Sequence, residues 1–223
     1  MIETKSLHKD DISVRTNSKI LLKKFTKPST LISLGLLFLI IFCAIFAPVL
    51  APTNPYDLKV VSILDSRLSP GDKMLNGTVA WLGTDGAGRD VLSAIIFGLR
   101  TSLVVAISSA VIALIAGLFV GLIAGFYGGK IDAFLMRVVD IQLSFPAILV
   151  ALVLLALLGK GIDKVIIALA IVQWAIYART VRAAAIVERN KEYIQAASCL
   201  GLSNSLIIWK HLLPNSISPL KTY

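Results

Sequence analysis

The residue types that carry out catalysis are few in this sequence and far apart. Its two histidines, His8 and His211, stand at opposite ends of the chain, and its two cysteines are Cys43 and Cys199. None of the spacings HExxH, GxSxG or CxxC, which bring a metal ligand or a nucleophile next to its partner, occurs. We therefore predict no catalytic residue, no bound cofactor and no metal site.

Two short stretches pair glycine with lysine, as phosphate-binding loops do. They are GFYGGKI at 125–131 and LLGKGID at 157–163, and neither has the spacing that cradles a nucleotide phosphate. Both flank apolar runs rather than following a buried strand. The chain therefore has no recognisable ATP site of its own.

Four hydrogen-bonding side chains lie within otherwise apolar runs. Gln142 and Ser144 precede the helix-breaking Pro146, and Gln173 and Tyr177 belong to a later run. Polar groups at membrane depth are costly, and they mark pathways where neighbours or water satisfy them. We predict that these four side chains line a pathway. The alternative, polar helix ends at the membrane surface, fits the same pattern.

A further group of candidate residues lies in EYIQAASCLGLSNSLIIWKHLLPN, at 192–215. Helical periodicity predicts one helix over 186–200. Gly201 suits a left-handed position at its C-terminus, and Ser203 suits the N-cap of a second helix. Pro214 is expected to end that second helix.

The first of these predicted helices carries small residues next to the turn. Ala196 and Ala197 lie beside Gly201 and leave a surface that another backbone can approach closely. The segment is too polar to cross a membrane. We therefore predict a helix–turn–helix that lies under the membrane and docks on another protein; an ordinary interfacial helix pair is the alternative.

Long apolar runs must hold these residues in place. Of the 223 residues, 57% are hydrophobic and 16% charged, a composition far more apolar than that of soluble domains. No charge occurs in 28–56, 101–129 or 141–159. Each of these windows holds the roughly 20 apolar residues that a helix needs to cross a bilayer.

A fourth apolar run, 165–178, is shorter. Its pattern continues past Arg179 and Arg182 to Val187, and long arginine side chains can reach a headgroup layer from within a span. We therefore predict an all-α membrane protein, a polytopic bundle of four complete transmembrane helices.

The distribution of charge sets the predicted orientation. The formal net charge is +9, and residues 1–27 hold seven Lys or Arg against three acidic residues. The positive-inside rule then predicts a cytoplasmic tail at 1–28, a first transmembrane helix at 29–51 and an extracytoplasmic loop at 52–99. Four crossings bring the basic stretch 179–211 to the cytoplasmic side as well. The positive charge thus indicates topology, and we predict no binding to nucleic acid.

The end of the predicted outer loop is amphipathic. In WLGTDGAGRDVLSAIIFGLRTSL, apolar residues recur at helical spacing from Val91 to Leu99 while polar residues face the other way. We predict a short helix in the outer interface that leads to Arg100 at the bilayer surface. A plain amphipathic connector is the alternative.

The second apolar run carries a stripe of small residues. Gly117, Gly121, Gly125 and Gly129 fall on every fourth position. In lipid, small residues on one helix face allow two backbones to approach and gain dispersion contacts. We predict a helix-packing face. The pattern leaves open whether its partner belongs to this chain or to another subunit.

Several of these motifs together resemble one family of membrane proteins. The C-terminal segment is similar to the EAA loop of ABC-importer permease subunits, and the GTDGAGRDVLS stretch and the first span with its APVLAP exit resemble the dipeptide, oligopeptide and nickel branch of that family. The resemblance covers nearly residues 30 to 220. In the coupling loop that the resemblance implies, the residues expected to bind the ATP-binding subunit are Glu192, Ala196, Ala197, Gly201, Leu213 and Pro214.

The resemblance implies a type I ABC importer permease fold, with the transmembrane domain at 100–223 and a coupling loop at 184–214. It implies an inner-membrane protein of a bacterium that passes dipeptides or oligopeptides through the lipid bilayer, with nickel or another small solute as the alternative. The implied partners are ATP-binding ABC subunits, a homologous second permease subunit and an extracytoplasmic substrate-binding protein. In such a system the coupling helix carries the motion of the ATP-binding subunits to the membrane helices.

The sequence departs from the family pattern in two places. His211 stands where the general pattern favours isoleucine, although the peptide branch often has histidine there. The family continues into two further spans after ISPL, whereas this chain ends at LKTY, with Lys221 where an apolar span should begin. We therefore expect a permease fold that lacks its last two spans. The alternatives are a fragment without transport activity and a membrane scaffold protein.

Overall fold

The computed structural model describes residues 28–57, 59 and 61–216, so the predicted tail at 1–28, except for Pro28, and Lys221 lie outside it. The described residues are mostly helical, and among them β-pairing is limited to two isolated bridges. The all-α class predicted from the sequence is therefore confirmed for the described part of the chain. The chain divides into two compact units, one that ends at Leu103 and one that begins at Val104.

The first helix, α1, occupies most of the first predicted span. It comprises Pro28–Ile45, and a single turn, α2, follows at Ala47–Leu50. Proline suits a first helical position because its missing N–H would have no partner there. The 18 residues of α1 rise about 27 Å, close to the ~30 Å of a bilayer's hydrocarbon core. Its large apolar side chains are exposed, Phe38 by 69%, as expected of a surface that lipid covers.

Turns and side-chain hydrogen bonds organise the segment between α2 and the next long helix. A short 3-10 helix lies at Ile63–Asp65. The Asp65 carboxylate accepts a hydrogen bond from the Leu75 amide at 2.9 Å, and the Thr84 hydroxyl donates to the Asp65 carbonyl. Isolated antiparallel bridges join Lys73 to Val79 and Thr84 to Asp90. This segment thus has a defined fold although it consists mainly of turns.

Helix α3 is longer than the sequence analysis predicted. It runs without interruption over Val91–Tyr127, 37 residues, about 55 Å. The expected separation between an interfacial helix and a span near Arg100 is therefore absent. The physical reason is that arginine is a good helix former and that a lone Gly98 does not stop a helix which is already propagating.

The predicted third span is bent rather than straight. Helix α4, Gly129–Ser144, and helix α5, Ala147–Leu158, meet at an angle of 89°. Pro146 has no N–H to continue the helix, and Phe145 before it is extended, with ψ 141°. With 12 residues, α5 alone rises only about 18 Å, too little to cross a bilayer.

Helix α6, Ile162–Arg189, contains the fourth predicted span. Within the described residues, three helices are long and apolar enough to cross a membrane, namely α1, α3 and α6. The count becomes four if α4 and α5 together form one broken span. The prediction of several membrane-spanning helices is thus confirmed, and the exact number of four stays a prediction.

The C-terminal segment is more divided than expected. Helix α7 comprises Glu192–Cys199, so the single helix predicted over 186–200 is interrupted between Arg189 and Glu192. The chain then forms α8, Asn204–Leu206, a π-helix, Ile207–Leu212, and α9, Leu213–Ser216.

Pro214 does not end the second helix of this segment, as the sequence suggested, but lies inside α9. The turn before it is wide, because the Leu213 amide donates to the Ile208 carbonyl five residues earlier. In an ordinary α-helix the proline ring would clash with the carbonyl four residues before it. A π-turn changes that local spacing, which is how the helix continues through the proline.

Three small clusters of buried apolar residues hold the second unit together. The first joins α3, α6 and the π-helix, the second joins α4 to α6, and the third joins α7 to the π-helix. In that order they consist of Leu122, Val181, Ala185, Ile208 and Leu212; of Val139, Ala175 and Ala178; and of Ile194, Ala197 and Ile207. The C-terminal segment is therefore packed on the long helices by its own apolar side chains.

Candidate functional site

Three of the four stripe glycines bring α3 into close contact with α6. A Cβ on Gly117 would lie 2.5 Å from the Tyr177 Cβ, and one on Gly121 would lie 2.6 Å from the Ala178 carbonyl oxygen. At Gly125 the corresponding neighbour is the Ala185 Cβ, also at 2.6 Å. Such distances are shorter than van der Waals contact, so only glycine fits at these positions.

Gly129, the fourth member of the predicted packing face, lies apart from this contact. It is the first residue of α4, its φ is +55°, and no atom lies within 4 Å of the position its Cβ would take. Its role is in the turn between α3 and α4. Gly129 has the four-residue spacing of the other glycines, but it lies beyond their helix because α3 ends at Tyr127.

Two ion pairs connect α4 to α6, and the sequence analysis did not identify them. Arg182 binds Asp132 with two hydrogen bonds, one of them 2.6 Å between Nη2 and Oδ2, and Arg179 pairs with Asp140. The sequence pattern predicts that both arginines can reach a headgroup layer, and it does not indicate a carboxylate partner for either. The two carboxylates lie 39 and 50 residues before their arginines in the chain. No local spacing in the sequence therefore indicates the pairing.

An open cavity of about 420 Å³ lies between α4, α5 and α6. Its wall consists of nine apolar residues and two glutamines, Gln142 and Gln173. The Gln142 amide group donates to the Ile171 carbonyl at 3.4 Å. Two of the four predicted pathway residues therefore meet at one cavity, although they are 31 positions apart in the chain.

The other two predicted pathway residues lie elsewhere. The Ser144 hydroxyl donates to the Asp140 carbonyl of its own helix at 2.7 Å. Tyr177 lies against Gly117 in the contact between α3 and α6. Neither lines the cavity.

The candidate coupling segment, residues 192–216, is packed on the end of α3. Phe126 packs against the cluster of Ile194, Ala197 and Ile207. Nearby, the rings of Phe119 and Trp209 meet edge to face with centroids 5.2 Å apart. Apolar and aromatic contacts of this kind fix the segment against α3.

Gly201 makes the turn between α7 and α8. Its φ is +77°, a left-handed conformation that residues with a Cβ rarely adopt. The Leu202 amide donates back to the Ala197 carbonyl at 3.3 Å, and the Ser203 hydroxyl accepts from the Leu206 amide at 3.4 Å. The left-handed glycine and the serine cap are both as the sequence predicted.

The six predicted partner-binding residues differ in exposure. Glu192, Ala196, Gly201 and Pro214 are exposed, Leu213 is half-buried and Ala197 is buried. Ala197 therefore belongs to the packing of the segment itself. The exposed four, and not the full set, form surface that a partner could contact.

A polar network, Glu188–Tyr193–Asn215, ties the end of α6 to α7 and α9. The Tyr193 hydroxyl donates to the buried Glu188 carboxylate, and the Asn215 amide donates to the Tyr193 oxygen at 2.9 Å. Lys191 pairs with Glu188 at 2.8 Å. Burial and the hydrogen bond to Glu188 raise the pKa of Tyr193. The sequence analysis missed this network because its members lie on three separate elements.

The GTDGAGRDVLS stretch is folded by its own side chains. Asp90 caps α3, since its carboxylate accepts from the amide and hydroxyl of Ser93 at 2.9 and 2.5 Å. Asp85 pairs with Arg89 at 2.7 Å. Burial raises the pKa of Asp85, but hydrogen bonds from the Arg89 amide and guanidinium and from the Ala87 amide outweigh it and lower the pKa. The acidic and basic residues of this motif therefore have a structural role, in the cap of α3 and in the ion pair.

Two family models match the sequence. Residues 117–223 match "Binding-protein-dependent transport system inner membrane component", and residues 24–70 match "N-terminal TM domain of oligopeptide transport permease C". The first match includes the stripe glycines, the cavity and the coupling segment. The second includes α1 and α2.

Curated relatives extend over most of the chain. The di/tripeptide transport system permease protein DppC of Pseudomonas aeruginosa is 41% identical over 83% of this chain, and the dipeptide transport system permease protein DppC of Escherichia coli K12 is 46% identical over the same share. The glutathione transport system permease protein GsiD of Pectobacterium atrosepticum is 34% identical over 96% of this chain and 68% of its own length. The chain spans only 61 to 62% of the length of the two DppC relatives.

Proposed function

Because this chain belongs to the family of binding-protein-dependent transport system inner membrane components, we propose that it acts as a permease subunit of an ATP-driven importer of short peptides. The relatives are named for dipeptides, di/tripeptides and glutathione, which is itself a tripeptide. A multi-pass protein of the bacterial inner membrane agrees with the three or four candidate spans. Under this proposal the N-terminus and the coupling segment face the cytoplasm, as the positive-inside rule predicts.

The observation that carries the proposal is the attachment of the coupling segment to the long helices. Residues 192–216 share apolar clusters with α3 and α6 and are joined to α6 through the Glu188–Tyr193–Asn215 network. A segment bound on several sides moves together with the helices that hold it. It is therefore suited to transmit motion between an outside protein and the membrane helices.

The partners in this proposal are ATP-binding subunits, a second permease and a substrate-binding protein. The ATP-binding subunits would dock on the exposed residues Glu192, Ala196, Gly201 and Pro214, and the turn at Gly201 gives that surface its shape. When these subunits close on ATP, the coupling segment moves with them and α6 and α3 tilt. The outer segment at 52–90 would contact the substrate-binding protein. Glu192 would offer a charge-assisted hydrogen bond to its partner.

A pair of substitutions at Gly201 tests the proposal. Valine is β-branched and disfavours the left-handed conformation at φ +77°. We expect Gly201→Val to abolish most peptide uptake while the partner ATPase continues to hydrolyse ATP, measured on the complete transporter in membrane vesicles.

The matched control is Gly201→Asn, because asparagine tolerates the left-handed conformation. It should retain most uptake. If the valine variant transports as well as the wild type, the coupling role assigned to this turn is wrong. If the wild-type chain supports no ATP-dependent uptake of any short peptide, the proposed function itself fails.

A further inference from the structure

We propose that the cavity between α4, α5 and α6 binds the uncharged backbone of the transported peptide, with the carboxamides of Gln142 and Gln173 pairing with a peptide group. This inference rests on the proposed transport function and specifies which part of the substrate the chain contacts. It concerns residues of the second unit only.

Both glutamines belong to the wall of the same cavity. Gln142, near the end of α4, reaches the Ile171 carbonyl of α6 at 3.4 Å. Ile171 is two positions from Gln173, so the hydrogen bond brings the Gln142 head group to the level of Gln173. Both side chains are half-buried and both line the cavity.

Gln173 has unused hydrogen-bonding capacity. Among the residues that the structure describes, none hydrogen-bonds to its carboxamide, and Gln142 uses one donor on a carbonyl at the limit of hydrogen-bonding distance. A polar group held among apolar side chains at membrane depth is unfavourable unless something polar pairs with it. Lipid tails cannot do so, whereas a polar ligand can.

The chemistry of the wall selects the class of ligand. A carboxamide carries both donors and an acceptor, and so matches the N–H and C=O of a peptide bond. The remaining nine lining residues are apolar, among them Leu143, Ile148 and Val172. A wall of this composition offers no charge to a peptide's termini, so it suits the uncharged middle of the chain and tolerates varied apolar side chains. The volume of about 420 Å³ lies within the range of small-ligand sites.

A substrate with one altered atom provides the test. In a tripeptide in which one of the two peptide N–H groups is replaced by an ester oxygen, a donor to a glutamine oxygen is lost while the shape is kept. Uptake of the amide and of the ester is measured with the complete transporter, in the wild type and in Gln173→Leu and Gln142→Leu. The substrate-binding protein is the same in all strains, so its own preference cancels when the amide-to-ester ratios are compared.

We expect the amide-to-ester ratio to be about fivefold lower in Gln173→Leu than in the wild type, the effect of one lost hydrogen bond. Gln142→Leu should lower it in the same direction. Ser144→Ala is the matched control, because Ser144 is a polar residue of the same helix that bonds to its own backbone and does not line the cavity. Its ratio should equal that of the wild type.

An unchanged ratio in both glutamine variants overturns the inference, even if total uptake falls, since a purely structural role would lower the uptake of both substrates alike. Should the leucine variant be missing from the membrane on immunoblots, the same comparison with Gln173→Met decides the question. A wild-type strain that imports neither substrate would instead refute the proposed function, which keeps the two failures apart.

Discussion

At the scale of single residues, one added carbon is enough to disturb the contact between α3 and α6. A Cβ on Gly121 would lie 2.6 Å from the Ala178 carbonyl oxygen and 2.7 Å from the Val181 Cβ. The helices would have to separate to admit it. We expect Gly121→Ala to lower the free energy of unfolding of the purified chain in detergent by about 1–3 kcal/mol, the usual cost of overpacking, measured by denaturant titration.

The same helix offers a matched control for this prediction. The Cβ position of Gly98 has no neighbour within 4 Å, and alanine is the better helix former. Gly98→Ala should therefore leave stability unchanged or raise it by up to about 1 kcal/mol. Equal losses in both variants would contradict the close-packing explanation.

Asp85 makes the outer segment sensitive to acid. Its pKa in the folded chain lies below the ordinary value of 3.8, because hydrogen bonds from Arg89 and Ala87 outweigh the effect of burial. A carboxyl group with a lowered pKa contributes stability above its ordinary pKa and loses that contribution as the pH falls through the lowered value. The Asp85–Arg89 pair is partly exposed, so the contribution is at most about 1 kcal/mol.

The measurement is the difference in unfolding free energy between the wild type and Asp85→Asn, followed from pH 7 downward. We expect the wild type to be the more stable at neutral pH, the difference to shrink as the pH falls below about 3.8, and the difference to disappear only below the lowered pKa of the folded chain. A difference that persists in acid would mean that Asp85 acts through its shape rather than through its charge.

At the scale of elements, the Glu188–Tyr193–Asn215 network predicts how firmly the coupling segment is held. Tyr193→Phe removes the hydroxyl that serves both Glu188 and Asn215 and leaves the buried carboxylate with fewer partners. We expect the segment to open more readily by about 1–3 kcal/mol. The readout is the rate of limited trypsin cleavage after Lys210 and, if the proposed function holds, the amount of peptide imported per ATP hydrolysed.

Tyr127→Phe is the control for this substitution. Tyr127 is 45% exposed, and its hydroxyl makes no hydrogen bond to another residue in the described part of the chain. Tyr127→Phe removes a hydroxyl, as Tyr193→Phe does, but it breaks no hydrogen bond within the described part of the chain. Its cleavage rate and uptake should therefore match those of the wild type. Faster cleavage in both variants would show that the network does not hold the coupling segment in place.

The sequence could predict those elements that are determined by residues close to one another in the chain. The left-handed turn at Gly201 and the cap at Ser203 depend on residues a few positions apart, and both were predictable. The spacing of Gly117, Gly121 and Gly125 predicted a packing face because helical periodicity is local as well. It could not identify α6 as the partner, since that contact joins residues about 60 positions apart.

Other features depend on contacts that sequence spacing does not reveal. The ion pairs of Arg182 and Arg179 join different helices. The 89° bend at Pro146 could have been a mild kink, because proline permits a range of angles and packing selects one. Of the four predicted pathway residues, Gln142 and Gln173 meet at the cavity, whereas Ser144 and Tyr177 do not. Polarity within an apolar run indicates that a residue needs a partner, but not which partner it has.

At the scale of the whole molecule, the native cysteines can test the predicted orientation. Cys199 is exposed on α7, which we predict to face the cytoplasm, and Cys43 is only partly exposed on α1 within the first predicted span. A membrane-impermeant maleimide should therefore label Cys199 in inside-out vesicles but not in intact spheroplasts.

The control is Cys199→Ser, which should abolish labelling in the inside-out vesicles because Cys43 is expected to lie within lipid. Labelling of Cys199 from the outside of intact spheroplasts would reverse the orientation, and the coupling proposal would then fail with it. Disruption of the spheroplasts with detergent before labelling checks that the reagent is active.

The π-helix at Ile207–Leu212 has a consequence for rotational register. An α-helix turns about 100° per residue, and a π-turn accommodates one residue more than an α-turn would. Because the π-turn holds its extra residue within one full turn, deletion of a single residue there, Lys210 for example, would convert the stretch to ordinary helix and leave the direction of α9 almost unchanged. Asn215 would still face Tyr193, so the wide turn absorbs one additional amino acid without changing which side of the helix its later residues present.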